Sequence, residues 1–254
     1  MLEARIYRLG VAVNASSFES SGYLVLDNFL PGSRCRELLA AIDAYRAQTV
    51  LPEIFRATRG RPLRYSVIDG ESIERQLPAV LTFYRQVNQF VNAVSGKRLV
   101  PLNDKQVACN INITPSGGSY RWHYDRNAVT AIVYLNEVAG GETDCYPNYR
   151  ISLGRRLGRS KLQQGLDCLL QAQRVRRAFG NSVVVEPAAG RLLLMRGDRC
   201  LHSVRAVAAE SERVNIVMSY DTPNADFAQA GRLNRYLYDQ GAQLAGDPNY
   251  ASHI

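Results

Sequence analysis

The 254-residue sequence predicts a mainly β fold, a sandwich or barrel with helices packed against one face. Three observations carry this. Short β-rich segments recur from about residue 106 onward: 106–114 (QVACNINIT), 129–136 (VTAIVYLN), 182–186 (SVVVE), 191–196 (RLLLMR), 200–207 (CLHSVRAV) and 213–220 (RVNIVMSY). Turn signals separate them, at Pro115-Ser116-Gly117-Gly118, Gly140-Gly141, Pro187 to Gly190 and Arg196-Gly197-Asp198. Long helical periodicity, by contrast, is concentrated ahead of residue 105, so the strands do not alternate with helices as in a parallel α/β sheet. The expected organisation is one domain, 1–254. It comprises helical support over 1–105, a β core over 106–221 carrying a basic insertion at 148–180, and a C-terminal segment 222–254.

Each N-terminal element has its own signal. Residues 22–30 (GYLVLDNFL) alternate apolar and polar and run into Pro31-Gly32, a strand and a turn. Ser33 is placed to cap a helix reaching about Gln48, with Leu38, Leu39, Ile42 and Tyr45 on one face. Residues 56–70 (RATRGRPLRYSVIDG), rich in Arg, Pro and Gly, read as an ordered loop. A second helix is expected over 72–94, where Leu77, Leu81, Tyr84, Val87, Phe90 and Val94 recur at helical spacing around an early Pro78. The insertion is helix-permissive over about 158–178.

Composition excludes several classes. With 46% hydrophobic and 21% charged residues, the chain has apolar material for a core and is not disordered. It contains no apolar run long enough to span a bilayer, and MLEARIYRLGVAVNASSF has no secretory pattern, so a soluble cytoplasmic protein is expected. The five cysteines (Cys35, Cys109, Cys145, Cys168, Cys200) form no CxxC pair, which argues against a zinc ribbon or a disulfide framework. The net charge of +8 invites a nucleic-acid reading, but it is local. Residues 148–180 hold eight cations (Arg150, Arg155, Arg156, Arg159, Lys161, Arg174, Arg176, Arg177) against the single acid Asp167, so 8 − 1 = +7 of the +8 lies there.

Histidine is scarce: His123, His202 and His253 are the whole supply. In YRWHYDRN, His123 and Asp125 are spaced to point to one face of an extended segment, and His202, in the later strand CLHSV, can complete a set from across a barrel. Two histidines and one carboxylate form the facial triad of non-heme iron(II) oxygenases, although an isolated H-x-D is by itself more often structural. Arg213, flanked by Val214, Ile216 and Val217, is a core-directed cation that needs an anionic partner, which a cosubstrate carboxylate can supply.

These stretches, read in order as ITPSGGSYRWHYD, TAIVYLNEVAGGET, PAAGRLLLMRGDRCLHSVRAV and ERVNIVMSYDTP, resemble the 2-oxoglutarate- and iron(II)-dependent oxygenases, in particular the branch similar to prolyl hydroxylases. The resemblance spans 106–221, somewhat under half the chain. It implies a double-stranded β-helix, a jelly-roll core of the cupin type, with the N-terminal helices outside. It also implies iron ligation by His123, Asp125 and His202, and 2-oxoglutarate held at its far carboxylate by Arg213. Asn112, Tyr120 and Tyr134 are further candidates for cosubstrate contact. Ile113-Thr114 stands where the family often has a tyrosine, and Asn215 where a Ser or Thr is common, two residues after the arginine. The cofactors implied are iron(II), 2-oxoglutarate and dioxygen, with succinate and carbon dioxide as co-products. Halogenating relatives carry Gly or Ala in place of Asp125, so the resemblance implies hydroxylation of an unactivated C–H bond, or desaturation or cyclisation from the same hydrogen abstraction.

The expected substrate is a small molecule, such as an amino acid or a natural-product intermediate, with a protein or peptide side chain as the alternative. Arg155, Arg156 and Arg159 of the insertion are candidates to face an anionic group on it. A solvated helix or a contact between copies accounts for them equally well. Arg59, Arg64 and Tyr65 in the loop 56–70, and Asp221 after the Arg213 strand, are further candidates for substrate contact. Trp122 reads as core packing and His253 as a surface residue. Neither a membrane nor nucleic acid is an expected partner, and the sequence leaves oligomeric state open. The competing non-enzyme readings are a basic nucleic-acid-binding protein, for which aromatic-basic interleaving is lacking, and a non-catalytic metal-binding jelly roll.

Overall fold

A computed structural model describes residues 15–56, 61–153, 161–223 and 225. The described chain begins with helix α1 (Ala15–Ser21) and strand β1 (Tyr23–Leu26). The strand is shorter than the 22–30 run because Asn28 turns the chain at a positive φ of 55°. Helix α2 (Gly32–Arg46) starts one residue before Ser33, which therefore is not its cap. The carbonyl of Pro31 instead accepts from the N–H groups of Arg34 and Cys35 and closes the first turn.

The segment expected as a loop contains a strand, and its residues 57–60 lie outside the described residues. Strands β2 (Glu53–Arg56) and β3 (Leu63–Ile68) pair antiparallel. Ile54, Leu63, Tyr65 and Val67 form a buried cluster on one face, a period-two pattern obscured by the interleaved Arg and Pro. The expected helix 72–94 is two helices, α3 (Gly70–Gln76) and α4 (Pro78–Ser95), divided at Leu77. Asp69 caps α3 through the N–H of Ser72, and Pro78 occupies the first turn of α4, where its missing N–H costs nothing. After β4 (Val100–Pro101), a helical turn α5 (Lys105–Ala108), capped by Asp104, takes the first part of the expected strand 106–114. Strand β5 then covers Cys109–Thr114.

The remaining elements are β6 (Tyr120–His123), β7 (Val129–Tyr134), β8 (Thr143–Tyr146), α6 (Lys161–Gln171), α7 (Gln173–Phe179), β9 (Val183–Val185), β10 (Leu192–Met195), β11 (Leu201–Val204) and β12 (Arg213–Asp221). They form two antiparallel sheets. The larger, eight-stranded sheet runs β1-β10-β7-β12-β5-β3-β2 with β4 on β12, and the four-stranded sheet runs β6-β11-β8-β9. Ile132, Tyr134, Leu193 and Met195 of the larger sheet pack with Cys145 and Val185 of the smaller sheet and with Cys200. The layering is that of a jelly-roll sandwich.

Alternation over β5 and the start of β12 is inverted relative to an ordinary half-buried sheet. Ile111, Ile113, Val214, Ile216 and Met218 face the N-terminal helices, meeting Phe18, Leu38, Ile42, Val80, Val87 and Phe90 in the largest core. Asn110, Asn112, Thr114, Arg213 and Asn215 occupy the alternate positions and face the interior between the sheets. The polar face therefore points inward.

The described parts of the basic insertion lie against the outer face of the smaller sheet. Arg150 makes a two-pronged ion pair with the buried Asp167, at 3.0 and 2.6 Å, and lies over the ring of Tyr124. Arg176 lies 4.3 Å above the centre of the Trp122 ring. All five cysteines are free, and no helix among the described residues is long and apolar enough to cross a membrane.

Candidate metal centre

His123 ends β6 and faces His202 of β11 in antiparallel register, with ring centres 4.1 Å apart. Each ring turns Nδ1 to a backbone carbonyl, that of Arg121 at 2.9 Å and that of Cys200 at 3.1 Å. A carbonyl can only accept, so Nδ1 carries the proton in both rings and each Nε2 presents its lone pair. Those two Nε2 atoms lie 3.6 and 3.7 Å from the same oxygen, Oδ1 of Asp125, too far for hydrogen bonds. The other carboxylate oxygen, Oδ2, accepts from the Thr130 hydroxyl at 2.5 Å. Thr130 is itself fixed by the Asn127 amide at 2.9 Å.

All three ligand atoms lie within 4.8 Å of one another. Burial, reinforced by the neighbouring His202, pushes the His123 imidazole down to about 3, so its ring is neutral near pH 7. The result is three lone-pair donors converging with no proton between them, each oriented by an outer hydrogen bond, which is a donor set for a divalent cation. Gly197 makes the arrangement fit. A Cβ there would stand 2.7 Å from the Asn127 carbonyl oxygen, 2.8 Å from Thr130 Oγ1 and 2.9 Å from Asp125 Cβ.

A second polar feature lies at the start of β12. Arg213 is 3% exposed, and its Nη1 donates to Asn215 Oδ1 at 2.6 Å and its Nη2 to Thr143 Oγ1 at 3.2 Å. Its guanidinium lies over the Tyr134 ring at 5.0 Å, and the Tyr134 hydroxyl shares a hydrogen bond with Thr143 Oγ1 at 2.7 Å. Nε has no partner, and no carboxylate pairs with this arginine among the described residues. Burial pushes its pKa down from the usual guanidinium value. A buried cation held only by neutral groups is a receptor for an anion.

The family model described as Halogenase D matches residues 10–232. The chain belongs to the Halogenase D family. Among solved structures, this Halogenase D family member is similar to the α-ketoglutarate-dependent carbocyclase SnoK from nogalamycin biosynthesis, at 14% identity over 96% of each chain and a TM-score of 0.63. The α-ketoglutarate-dependent epimerase SnoN of the same biosynthesis gives 16% identity over 86% of this chain and 83% of that one, with a TM-score of 0.60. A prolyl-4-hydroxylase from Pseudomonas putida gives 20% identity over 88% and 100%, with a TM-score of 0.55. The fold is thus that of the 2-oxoglutarate-dependent iron(II) oxygenases, with the jelly-roll core expected from the sequence. No curated protein matches the chain.

The other candidate residues of this Halogenase D family chain separate clearly. Tyr120 lies 4.6 Å, ring centre to ring centre, from His123 and brings Tyr65 to the site through a second ring contact at 5.3 Å. Asn112 stands opposite Asn215 and faces the interior with Arg213 and Tyr134. Arg64 is not brought to the site. Strand alternation turns it away from the buried Tyr65, and it pairs with Glu53 at the sheet edge at 2.9 Å. Asp221 closes the opposite end of β12 from Arg213, half-buried, with its carboxyl pushed up by desolvation. Arg59, Arg155, Arg156, Arg159 and His253 lie outside the described residues. Trp122 packs beside Tyr146, as a packing residue should. Sequence reasoning missed Thr130, Thr143 and Asn110. The available signal was a polar residue at an inward position of an otherwise apolar strand, as in VTAIVY.

Proposed function

We propose that this Halogenase D family chain is an iron(II)- and 2-oxoglutarate-dependent dioxygenase acting as a single domain. Its reaction is hydroxylation of an unactivated C–H bond of a small molecule, an amino acid or a natural-product intermediate, with succinate and carbon dioxide as co-products. The observation that carries the reading is the pairing of a three-donor metal centre with a buried arginine that has no anion of its own, both opening on one interior. His123, Asp125 and His202 hold the metal, and Thr130 fixes the carboxylate so that Oδ1 faces it. Arg213 takes the far carboxylate of 2-oxoglutarate, with Tyr134, Thr143 and Asn215 holding the guanidinium in place and Asn112 and Tyr120 lining the space between. When bound, iron(II) with 2-oxoglutarate and dioxygen supplies the oxidising power for C–H cleavage. The protein's part is to orient the three ligands, each ring held by its Nδ1 contact to a backbone carbonyl and the carboxylate by Thr130.

The family is named for halogenation, yet Asp125 occupies the position that halogenating relatives leave to Gly or Ala. With a carboxylate there as the third ligand residue, the resemblance favours hydroxylation over halogen transfer. The test is anaerobic titration with iron(II) and 2-oxoglutarate, followed by aerobic turnover of an amino-acid panel in chloride buffer. A visible charge-transfer band that is lost in His123→Ala, succinate formation and a product one oxygen heavier are expected. Absence of the band and of succinate would refute the oxygenase reading, and a chlorinated product would refute hydroxylation.

A further inference from the structure

Asn110 carries a requirement that the cosubstrate cannot meet. It is fully buried, and both its amide nitrogen and its amide oxygen lack a hydrogen-bond partner. It stands on β5 opposite Val217 of β12, whose other neighbour is Ile132 of β7. One inward step along β7 from Ile132 is Thr130, the residue that holds Asp125. One inward step along β5 is Asn112, whose side-chain oxygen is also buried without a partner. Asn110 therefore faces the interior between the metal ligands and Arg213.

An unpartnered buried amide is costly, so one that faces a ligand-binding interior calls for a partner there, a ligand or an ordered water. For a ligand, the chemistry of the amide identifies the class. In either orientation of the side chain, Asn110 presents one acceptor oxygen as well as two donor hydrogens. The 2-oxoglutarate dianion consists of two carboxylates and a keto group and only accepts. It can meet the Nε of Arg213, but none of its groups can donate to the Asn110 oxygen. Building on the oxygenase reading above, we infer that Asn110 is a substrate-binding residue whose amide oxygen accepts from a hydroxyl or ammonium group of the substrate. The substrate class is accordingly a small polar molecule bearing such a donor near the carbon attacked. A purely apolar substrate would leave this oxygen orphaned in the complex.

The test uses the full chain loaded with zinc(II), which binds without turnover, at saturating 2-oxoglutarate. Binding is followed by thermal shift and calorimetry. The probes are the proteinogenic amino acids taken singly and glycerol, with benzene and toluene as donor-free controls. Three results are expected. At least one ammonium- or hydroxyl-bearing probe stabilises the wild type and neither control does. Asn110→Leu weakens that probe about ten- to hundredfold while binding 2-oxoglutarate as the wild type does. Finally, ligand-free Asn110→Leu melts at or above the wild-type midpoint, because leucine keeps the branched arrangement of heavy atoms and removes the orphaned amide.

Several results would overturn the inference. They are equal probe binding in both proteins, no probe bound by the wild type, loss of 2-oxoglutarate binding in the variant, or a variant that melts well below the wild type, which would assign the amide to the fold or to a trapped water. If Asn110→Leu does not fold, Asn110→Ala is measured in the same way, and failure of both variants to fold counts against the inference. Failure of the wild type to bind 2-oxoglutarate refutes the oxygenase reading itself and is seen before any probe is added.

Discussion

Replacing Arg213 with methionine separates a receptor arginine from a structural one. In the free protein this guanidinium is buried against Asn215, Thr143 and the Tyr134 ring, with Nε unpartnered and no acid beside it among the described residues. Removing such a cation takes away an uncompensated desolvation penalty, and methionine refills most of the volume, so ligand-free Arg213→Met should melt at or a few degrees above the wild type. The cosubstrate should respond in the opposite sense. A carboxylate seated on the guanidinium gains charge-assisted hydrogen bonds of about 1.5–3 kcal/mol each. Loss of two of them, about 3–6 kcal/mol, weakens 2-oxoglutarate by about a hundredfold to about twenty-thousandfold. The assay is calorimetric titration of 2-oxoglutarate into zinc(II)-loaded wild type and variant, with melting curves recorded with and without the cosubstrate. An affinity within about threefold of wild type, or a ligand-free midpoint lowered by more than about 10 °C, would refute the reasoning, the second because the cation would then be holding the core.

Three further outcomes follow from the same geometry. Gly197→Ala should weaken zinc(II) about ten- to hundredfold in a chelator competition, since the new methyl forces the Asn127–Thr130 turn away from Asp125, and unchanged affinity would show that the turn yields freely. Asp167→Ala leaves the partly exposed Arg150 without its carboxylate and should cost about 2–4 kcal/mol, read as a midpoint lowered by about 4–16 °C; a fall below about 2 °C would mean that the insertion is not anchored there. The metal-free protein should also lose stability in acid. The folded state holds His123 at about 3, below its ordinary value, so folding binds fewer protons than unfolding, and the stability present above about pH 6.5 falls by about 1.4 kcal/mol per pH unit toward pH 3. Melts of wild type and His123→Gln between pH 7 and pH 4 check this, and parallel curves would count against it.

The strands and the metal centre were legible because their signals are local. His123 and Asp125 sit two apart on an extended segment, and β7, β10 and β12 are runs of branched apolar residues between turns. Tertiary context decided the rest. Leu63, Tyr65 and Val67 alternate as a strand should, but Arg61, Pro62 and Arg64 gave the stretch the composition of a loop. Pro78 read as a blemish within one helix, whereas it begins a second. The inward face of β5 was the least accessible from sequence. In CNINIT the apolar positions normally mark the side facing the core, and here they do face one, between sheet and helices, while the asparagines face another interior altogether. Asn112 was a candidate through the family resemblance alone, and Asn110 becomes a site residue only once the sheet is known to be covered on both sides.

The stacking on Trp122 has a practical consequence. This is the chain's only tryptophan, it adjoins the ligand His123 in sequence, and the guanidinium groups of Arg61 and Arg176 lie over its ring at 5.5 and 4.3 Å. All emission excited at the red edge of the indole band therefore originates beside the metal centre. Arg61 is tied through Asp144 to the β8 side of the smaller sheet, and Arg176 belongs to the insertion, so a shift of either changes the charge above the indole. The wild-type chain thus carries a native optical gauge of whether its insertion is seated against the strand that ends in His123, readable without a label.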